Sequence, residues 1–296
     1  DIKSLSPKIR LLFQIIAAVA VILIAGTRIE RITNPFSPMG VTELSPYISY
    51  PITVLWIVGI TNAFNLIDGL DGLAAGVSSI SSLSLFFISL LTPIVGPFSC
   101  IITASLAGAT LGFLPFNFNP AKIFMGSTGA YFLGFVLAFI SVEGMFKSYA
   151  AISIAIPILS LGLPLFDTIF AIIRRLLHGK PIMASDRGHL HHKLMDMGLS
   201  QKQSVIILYI ASAALGLCAI VLTDKGALSA VILLILTSAF IIAGAKYMTE
   251  FTSKVDDIEL TISDEENLRN KNDKKTNDSS SFSKLSMNVL KKADNH

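Results

Sequence analysis

Apolar residues run along this chain in blocks of helical length, separated by short groups of Gly, Pro, Asn or charged positions. The blocks are Ile9–Gly26, Tyr47–Phe64, Leu73–Leu91, Phe98–Leu114, Thr128–Val142, Ala150–Ile173, Ser204–Leu222 and Ala227–Ala245. A bilayer crossing takes roughly 20 mostly apolar residues, so the pattern predicts about eight transmembrane helices, Thr128–Val142 being the shortest. The expected fold class is all-α, a polytopic helical membrane protein. From residue 249 onward the pattern changes to Ser, Asn, Asp, Lys and Glu, with nine Lys/Arg against ten Asp/Glu counted from Lys246. Such a stretch buries too little apolar surface to offset its ordering entropy. The expected organisation is therefore a membrane domain over 1–248 and a disordered cytoplasmic tail over 249–296.

Composition narrows the class. Hydrophobic residues make up 52% of the 296, charged residues only 15%, and mean hydropathy is +0.68. A soluble globule carries about a quarter charged residues, so that class is excluded. Between Tyr47 and Glu143 only four residues are formally charged: Asp68, Asp71, Lys122 and Glu143. A net charge of +3 argues against a nucleic-acid partner. Cys100 and Cys218 lie inside apolar runs, which gives neither a disulfide framework nor a zinc spacing. The chain opens on Asp1 with no signal-peptide pattern, as a fragment would.

Lys and Arg in short loops orient a membrane protein. With Asp1–Arg10 on the cytoplasmic side and alternating spans, ten basic residues fall on that side and four on the other, the tail excluded. The same topology gathers four polar clusters on the cytoplasmic face: Asp1–Lys8, Asn62–Asp71, Asn117–Ser127 and Arg174–His192. One active site built from four loops follows. A transporter would instead place its polar residues near the bilayer midplane on broken helices.

In Asn62-Ala-Phe-Asn65-Leu-Ile-Asp68-Gly-Leu-Asp71-Gly, residues Asn65, Asp68 and Asp71 are three apart. On a helix they would share one face, presenting hard oxygen ligands that suit magnesium and substrate phosphates; a capped turn is the competing reading. Asn117 in Phe116-Asn117-Phe118-Asn119 is placed to read a base or sugar edge, and Gly126 and Gly129 permit close backbone approach. His189-Leu-His191-His192 puts three histidines in four residues beside Arg174, Arg175 and Lys193, a pattern for phosphate binding or proton transfer. Zinc is the competing reading, without a Cys to accompany it. Asp167 reads as a partner for Arg174 or Arg175.

The strings NAFNLIDGLDGLAAG, FNFNPAKIFMG, PLFDTIFAIIRR and DRGHLHHKLMDMGLS, in this order, resemble the polyprenyl-phosphate N-acetylhexosamine-1-phosphate transferases (glycosyltransferase family 4). The HLHH form is most similar to the bacterial undecaprenyl-phosphate GlcNAc-1-phosphate transferases of teichoic acid and lipopolysaccharide O-antigen synthesis. The phospho-MurNAc-pentapeptide transferases look more distant. The resemblance implies transfer of GlcNAc-1-phosphate from UDP-GlcNAc to undecaprenyl phosphate, with release of UMP. It also implies Mg2+, with Mn2+ as a substitute, and a multi-pass protein of the bacterial plasma membrane whose site faces the cytoplasm; it leaves a homodimer open. It implies that Asp1 is the second member of an Asp-Asp pair following three further spans. Asp1, Asp68, Asp71 and His191 match catalytic positions. Asn65, Asn117, Arg187, His189 and His192 match substrate-binding ones.

One position departs. The family pattern Met-Gly-Asp-x-Gly-Ser is here Met125-Gly126-Ser127-Thr128-Gly129-Ala130. By resemblance the metal set is Asp68, Asp71 and position 127, where a hydroxyl replaces the Asp regarded as the main magnesium ligand. A Ser hydroxyl ligates magnesium more weakly than a carboxylate, so an impaired or silent family member is the alternative expectation.

Overall fold

The structure is a computed structural model that describes residues 6–33, 41–92, 96–144, 155–179, 181, 188–225, 228–236 and 238–239. Asp1, Arg187 and the tail 249–296 therefore lie outside the described residues. All the described residues belong to one compact unit within Asp1–Ala245.

The chain is a helical membrane protein. Its helices are α1 (Pro7–Ala25), α2 (Pro46–Ile67), α3 (Leu73–Leu91), α4 (Gly96–Asn117), α5 (Gly126–Gly144), α6 (Ala155–Ser160), α7 (Gly162–Leu177), α8 (Leu190–Asp196) and α9 (Gln201–Lys225). Pro7 and Pro46 open α1 and α2, where a missing N–H costs nothing and the fixed φ suits the first turn. Among the described residues six helices are long and apolar enough to cross a membrane: α1 to α5 and α9. The shortest sequence block, Thr128–Val142, is one of them.

One expected span differs. The block Ala150–Ile173 is interrupted where α6 ends at Ser160, Leu161 turns, and α7 begins at Gly162. Beyond that break α7 is amphipathic, with Asp167 and Arg175 buried and Phe170, Leu176 and Leu177 exposed. The last block is described as helix over 228–236.

Helix α3 is the centre of the bundle, packed between α4 and α9, while α2 lies against α1, α5 and α7. Apolar surface is no drive for association in lipid, so close packing of small residues and interhelical hydrogen bonds must hold the bundle. On α3, Ala74, Ala75, Gly76, Ser78, Ser79, Ser81 and Ser82 are all buried. Ser79 donates to Thr110 of α4 at 2.8 Å, and Ser81 donates to the Ser160 carbonyl at 2.9 Å. By contrast α1 exposes Leu12, Phe13, Ile16, Leu23 and Ile24, the apolar coat expected of a helix facing lipid.

Between α2 and α5 the backbones nearly touch. A Cβ on Gly134 would stand 2.9 Å from Thr61 Cα and 3.0 Å from the Ile60 carbonyl oxygen. Backbone cannot move aside as a side chain can, so Gly134→Ala forces the helices apart. The expected cost is about 2 kcal/mol, read as a lower midpoint in thermal unfolding of the detergent-solubilised protein.

At the N-terminal end of α2, a two-stranded antiparallel hairpin pairs β1 (Arg31–Thr33) with β2 (Val41–Glu43). Ser49 and Thr53 of α2 hydrogen-bond the Ile29 carbonyl and amide, and Thr27 donates to Glu143 of α5. These contacts fix the connection between α1 and α2 at one end of the bundle. The other end of α2 carries the candidate site.

Candidate active site

Asn65, Asp68 and Asp71 do not share a helical face, contrary to the spacing argument. Asn65 is half-buried in the last turn of α2, Asp68 is the residue that caps it, and Asp71 lies in the turn leading to α3. The glycines explain the break. Gly is poor in a helix interior, and Gly72 takes φ 82°, a left-handed conformation that side chains resist. Tyr209 of α9 donates its hydroxyl to the Gly72 carbonyl and ties the turn to the bundle.

The turn folds Asp68 and Asp71 into a cavity of about 350 Å³, lined also by Gly69, Asn117, Met125, Gly126 and Ser127. Asn117 ends α4 and Ser127 stands in the first turn of α5. Two of the sequence-predicted clusters thus meet at one point, each delivered by the end of a membrane helix. Helix ends, not a bilayer midplane, carry these polar groups, which argues against the transporter arrangement.

The two carboxylates differ. Asp71 Oδ2 accepts from Asn119 Nδ2 at 3.0 Å and from the Ala121 amide at 3.1 Å. Asn119 also donates to Gln201 at the start of α9, at 2.9 Å. One oxygen of Asp71 is therefore committed to holding the 118–125 loop against α9. Among the described residues Asp68 has no such partner, and burial, with the Asp71 charge adding to it, pushes its carboxyl up to about 6. Asn119 and Gln201 were not singled out from the sequence. Asn119 lies two residues from Asn117, but its partner is 82 residues away, which local pattern does not reveal.

Asn117 is buried to 3% exposure; its Nδ2 donates to the Ile123 carbonyl at 2.9 Å. Among the described residues no donor reaches its Oδ1. A buried acceptor without a partner costs about 1–3 kcal/mol, so this oxygen is suited to a donor entering the cavity.

The histidine cluster joins the same site through Gly69. A Cβ built on Gly69 would lie 2.5 Å from His191 Nε2, so the imidazole abuts the Asp68–Asp71 turn and needs a residue without a side chain there. Burial lowers His191 to about 4; His192 and His189 push the same way, while Asp167 opposes them. The ring is therefore neutral at neutral pH. His192 lies against it with ring centroids 4.3 Å apart. His189 is buried and bonded through Nδ1 to Asp167 Oδ2 at 2.8 Å. Asp167 is thus bound to a histidine. Gly69→Ala should keep the fold and lower turnover about tenfold by displacing His191, a loss of the size that small misplacement produces. Steady-state kinetics beside a circular-dichroism melt would check it.

As to a metal, among the described residues no three carboxylate, imidazole or thiol groups converge on one point. The cavity does offer Asp68, the remaining oxygen of Asp71, and the Ser127 hydroxyl. This oxygen-only set fits a hard cation such as magnesium, which keeps several waters and shares substrate phosphates.

Ser127 also lines a second cavity, of about 440 Å³, with Arg10, Phe13, Gln14, Ala17, Thr61, Tyr131 and Phe135. Gln14 and Asn62 exchange hydrogen bonds that pin α1 to α2 along it. A mainly apolar groove with a cation at its edge thus meets the polar cavity at one hydroxyl.

Comparison with known proteins places this arrangement in a lineage. Residues 1–145 match the model of Glycosyl transferase family 4. A "Probable undecaprenyl-phosphate N-acetylglucosaminyl 1-phosphate transferase" of Bacillus subtilis (strain 168) is 46% identical over 224 residues, 75% of this chain and 61% of the relative. A "Decaprenyl-phosphate N-acetylglucosaminephosphotransferase" of Mycobacterium tuberculosis (strain ATCC 25618 / H37Rv) is 32% identical over 82% of this chain and 64% of its own length. A "Phospho-N-acetylmuramoyl-pentapeptide-transferase" of Staphylococcus haemolyticus (strain JCSC1435) is 41% identical, over 47% of this chain and 44% of its own. The chain spans about three-fifths of the first two relatives. The matched region contains α1 to α5, with the Asp68–Asp71 turn and the Asn117–Ser127 loop that build the polar cavity, and the chain belongs to glycosyl transferase family 4.

Proposed function

We propose that the chain transfers N-acetylglucosamine 1-phosphate from UDP-N-acetylglucosamine to undecaprenyl phosphate, releasing UMP. One observation carries this: Asp68, Asp71, Asn117 and Ser127 line a single polar cavity, and Ser127 joins it to an apolar groove. Such a pair of cavities suits a polar, charged donor and a phosphate on an isoprenoid chain. The names of the relatives, which specify polyprenyl phosphates and N-acetylglucosamine, support the choice of substrates.

In this mechanism the isoprenoid lies along Phe13, Ala17, Phe132 and Phe135, with Arg10 drawing its phosphate toward Ser127. Asn117 Oδ1 accepts a hydrogen bond from the uridine. The phosphate oxygen of the lipid attacks the sugar-linked phosphorus; a new phosphorus–oxygen bond forms, and the bond to the UMP oxygen breaks. Neutral His191 donates or accepts one hydrogen bond beside the diphosphate, an electrostatic contribution that a low-dielectric pocket strengthens. A magnesium ion held by Asp68, Asp71 and Ser127 would offset charge on the diphosphate. By its basic-residue asymmetry the site faces the cytoplasm of a bacterial plasma membrane.

The test is label transfer. Membranes containing the full-length protein are given UDP-GlcNAc labelled in the sugar, with and without undecaprenyl phosphate. Label passing to the organic phase only with added lipid supports the proposal. Transfer from UDP-MurNAc-pentapeptide instead would assign the chain to the sibling activity.

A further inference from the structure

Asp167 has no place in the reaction outlined above, yet it is one of the most committed side chains near the site. It belongs to α7 and makes two bonds to the start of α8. Its Oδ2 meets His189 Nδ1 at 2.8 Å, and its Oδ1 accepts the Leu190 amide at 2.9 Å. Both the His189 and the Asp167 side chains are 6% exposed. His189 occupies the N-cap position of α8 but makes no capping bond with its own side chain. Asp167 supplies that cap from another helix, so the carboxylate fixes both where α8 begins and how the first histidine ring is turned.

We propose that Asp167 is a positioning residue, which sets the protonated nitrogen of His189 and holds the His191 imidazole against the Asp68–Asp71 turn. The chemistry follows from donor and acceptor roles. An ionised carboxylate only accepts, so the proton of a neutral His189 must sit on Nδ1, leaving Nε2 as the free lone pair. The His189 and His191 rings are nearly parallel, at 7°, with centroids 5.8 Å apart. Turning one ring therefore disturbs the other. His191 has little room to move, because its Nε2 lies where a Gly69 side chain would be. The chain of contacts runs from Asp167 through the first turn of α8 to the cavity. Carboxylates that orient a working histidine in this way are common in enzymes and do not themselves touch substrate.

The consequence for turnover rests on the transferase reading; the tautomer of His189 does not, and the experiment separates them. Full-length protein carrying 15N-labelled histidine is reconstituted in lipid, and imidazole nitrogen shifts are recorded. The five histidines are assigned with a His189→Gln sample. Unmodified protein should show His189 protonated on Nδ1. In Asp167→Asn the amide oxygen can keep the Leu190 bond while its NH2 faces Nδ1, so the proton moves to Nε2. The Asn variant should lose about a hundredfold in kcat with KM for the sugar nucleotide changed less than threefold. Asp167→Glu, which keeps the carboxylate, should recover a measurable part of kcat and the Nδ1–H signature. An unchanged tautomer in Asp167→Asn would overturn the proposal, and so would a shifted tautomer with full turnover. Lipid-linked product missing from the unmodified protein, with His189 still protonated on Nδ1, would refute the transferase reading and leave the geometric assignment standing.

Discussion

Asp68→Asn should melt a few degrees above the unmodified protein at pH 7.5 without divalent cations, yet form product about a thousandfold more slowly. The two halves have one cause. Burial and the neighbouring Asp71 charge raise the Asp68 carboxyl from 3.8 to about 6. A folded-state value above the unfolded one means that the ionised form is disfavoured by folding. The cost is present above about pH 6 and disappears as pH falls from there toward 3.8. Asn, which carries no charge, avoids that cost at pH 7.5, so the gain in melting temperature should shrink to nothing near pH 4. Groups kept at such a cost are typical of sites where function opposes stability. The activity loss follows because Asn cannot offer the anionic oxygen that a cation and a diphosphate require. Magnesium should then raise the melting point of the unmodified protein by mass action and leave the variant almost unmoved. Differential scanning fluorimetry across pH, with and without magnesium, checks both claims.

Ser127→Asp should lower the magnesium concentration for half-maximal turnover by about thirtyfold. Position 127 opens the first turn of α5 and faces the cavity that holds Asp68 and Asp71. A hydroxyl there is a neutral ligand; the carboxylate that the family resemblance leads one to expect adds a full negative charge. Charge-assisted contacts exceed neutral ones by about 2 kcal/mol in a partly buried site, which corresponds to the thirtyfold shift. Three carboxylates in one cavity would repel each other in the absence of a cation, so the same variant should be less stable than the unmodified protein in chelator. Magnesium titrations of turnover, together with melts in EDTA, read the two effects. A variant with unchanged magnesium dependence would show that position 127 does not face the cation.

How much of this was visible in the sequence depends on the range of the contact. Helices α1 to α5 and α9 follow from apolar runs because the bilayer demands internally satisfied backbone over a fixed thickness. The break at Leu161 did not follow. Ala150–Ile173 carries a single charge, Asp167, and is long enough to read as one span; at its interruption Gly162 sits close to Leu215 of α9. Motif content located Asp68, Asp71, Asn117, Ser127 and the histidines, since polar residues beside apolar spans are costly unless they serve a purpose. Geometry inside the motifs was less legible. Three-residue spacing implied a helical face for Asn65, Asp68 and Asp71, whereas Gly69 and Gly72 end the helix and produce a turn. The bond of Asp167 to His189, 22 residues along, has no signal in local spacing. Asn119 and Gln201 gave no local signal, because their function is a contact between distant segments.

The product of the nucleotide half tests the central claim most directly. Purified full-length protein is supplied with UDP-GlcNAc, undecaprenyl phosphate and magnesium, and the released nucleotide is separated by anion-exchange chromatography. Attack on the sugar-linked phosphorus predicts UMP in equal amount to a lipid-linked sugar diphosphate, with both lost in Asp68→Asn. UDP in place of UMP would mean that the sugar alone is transferred, and would contradict the account.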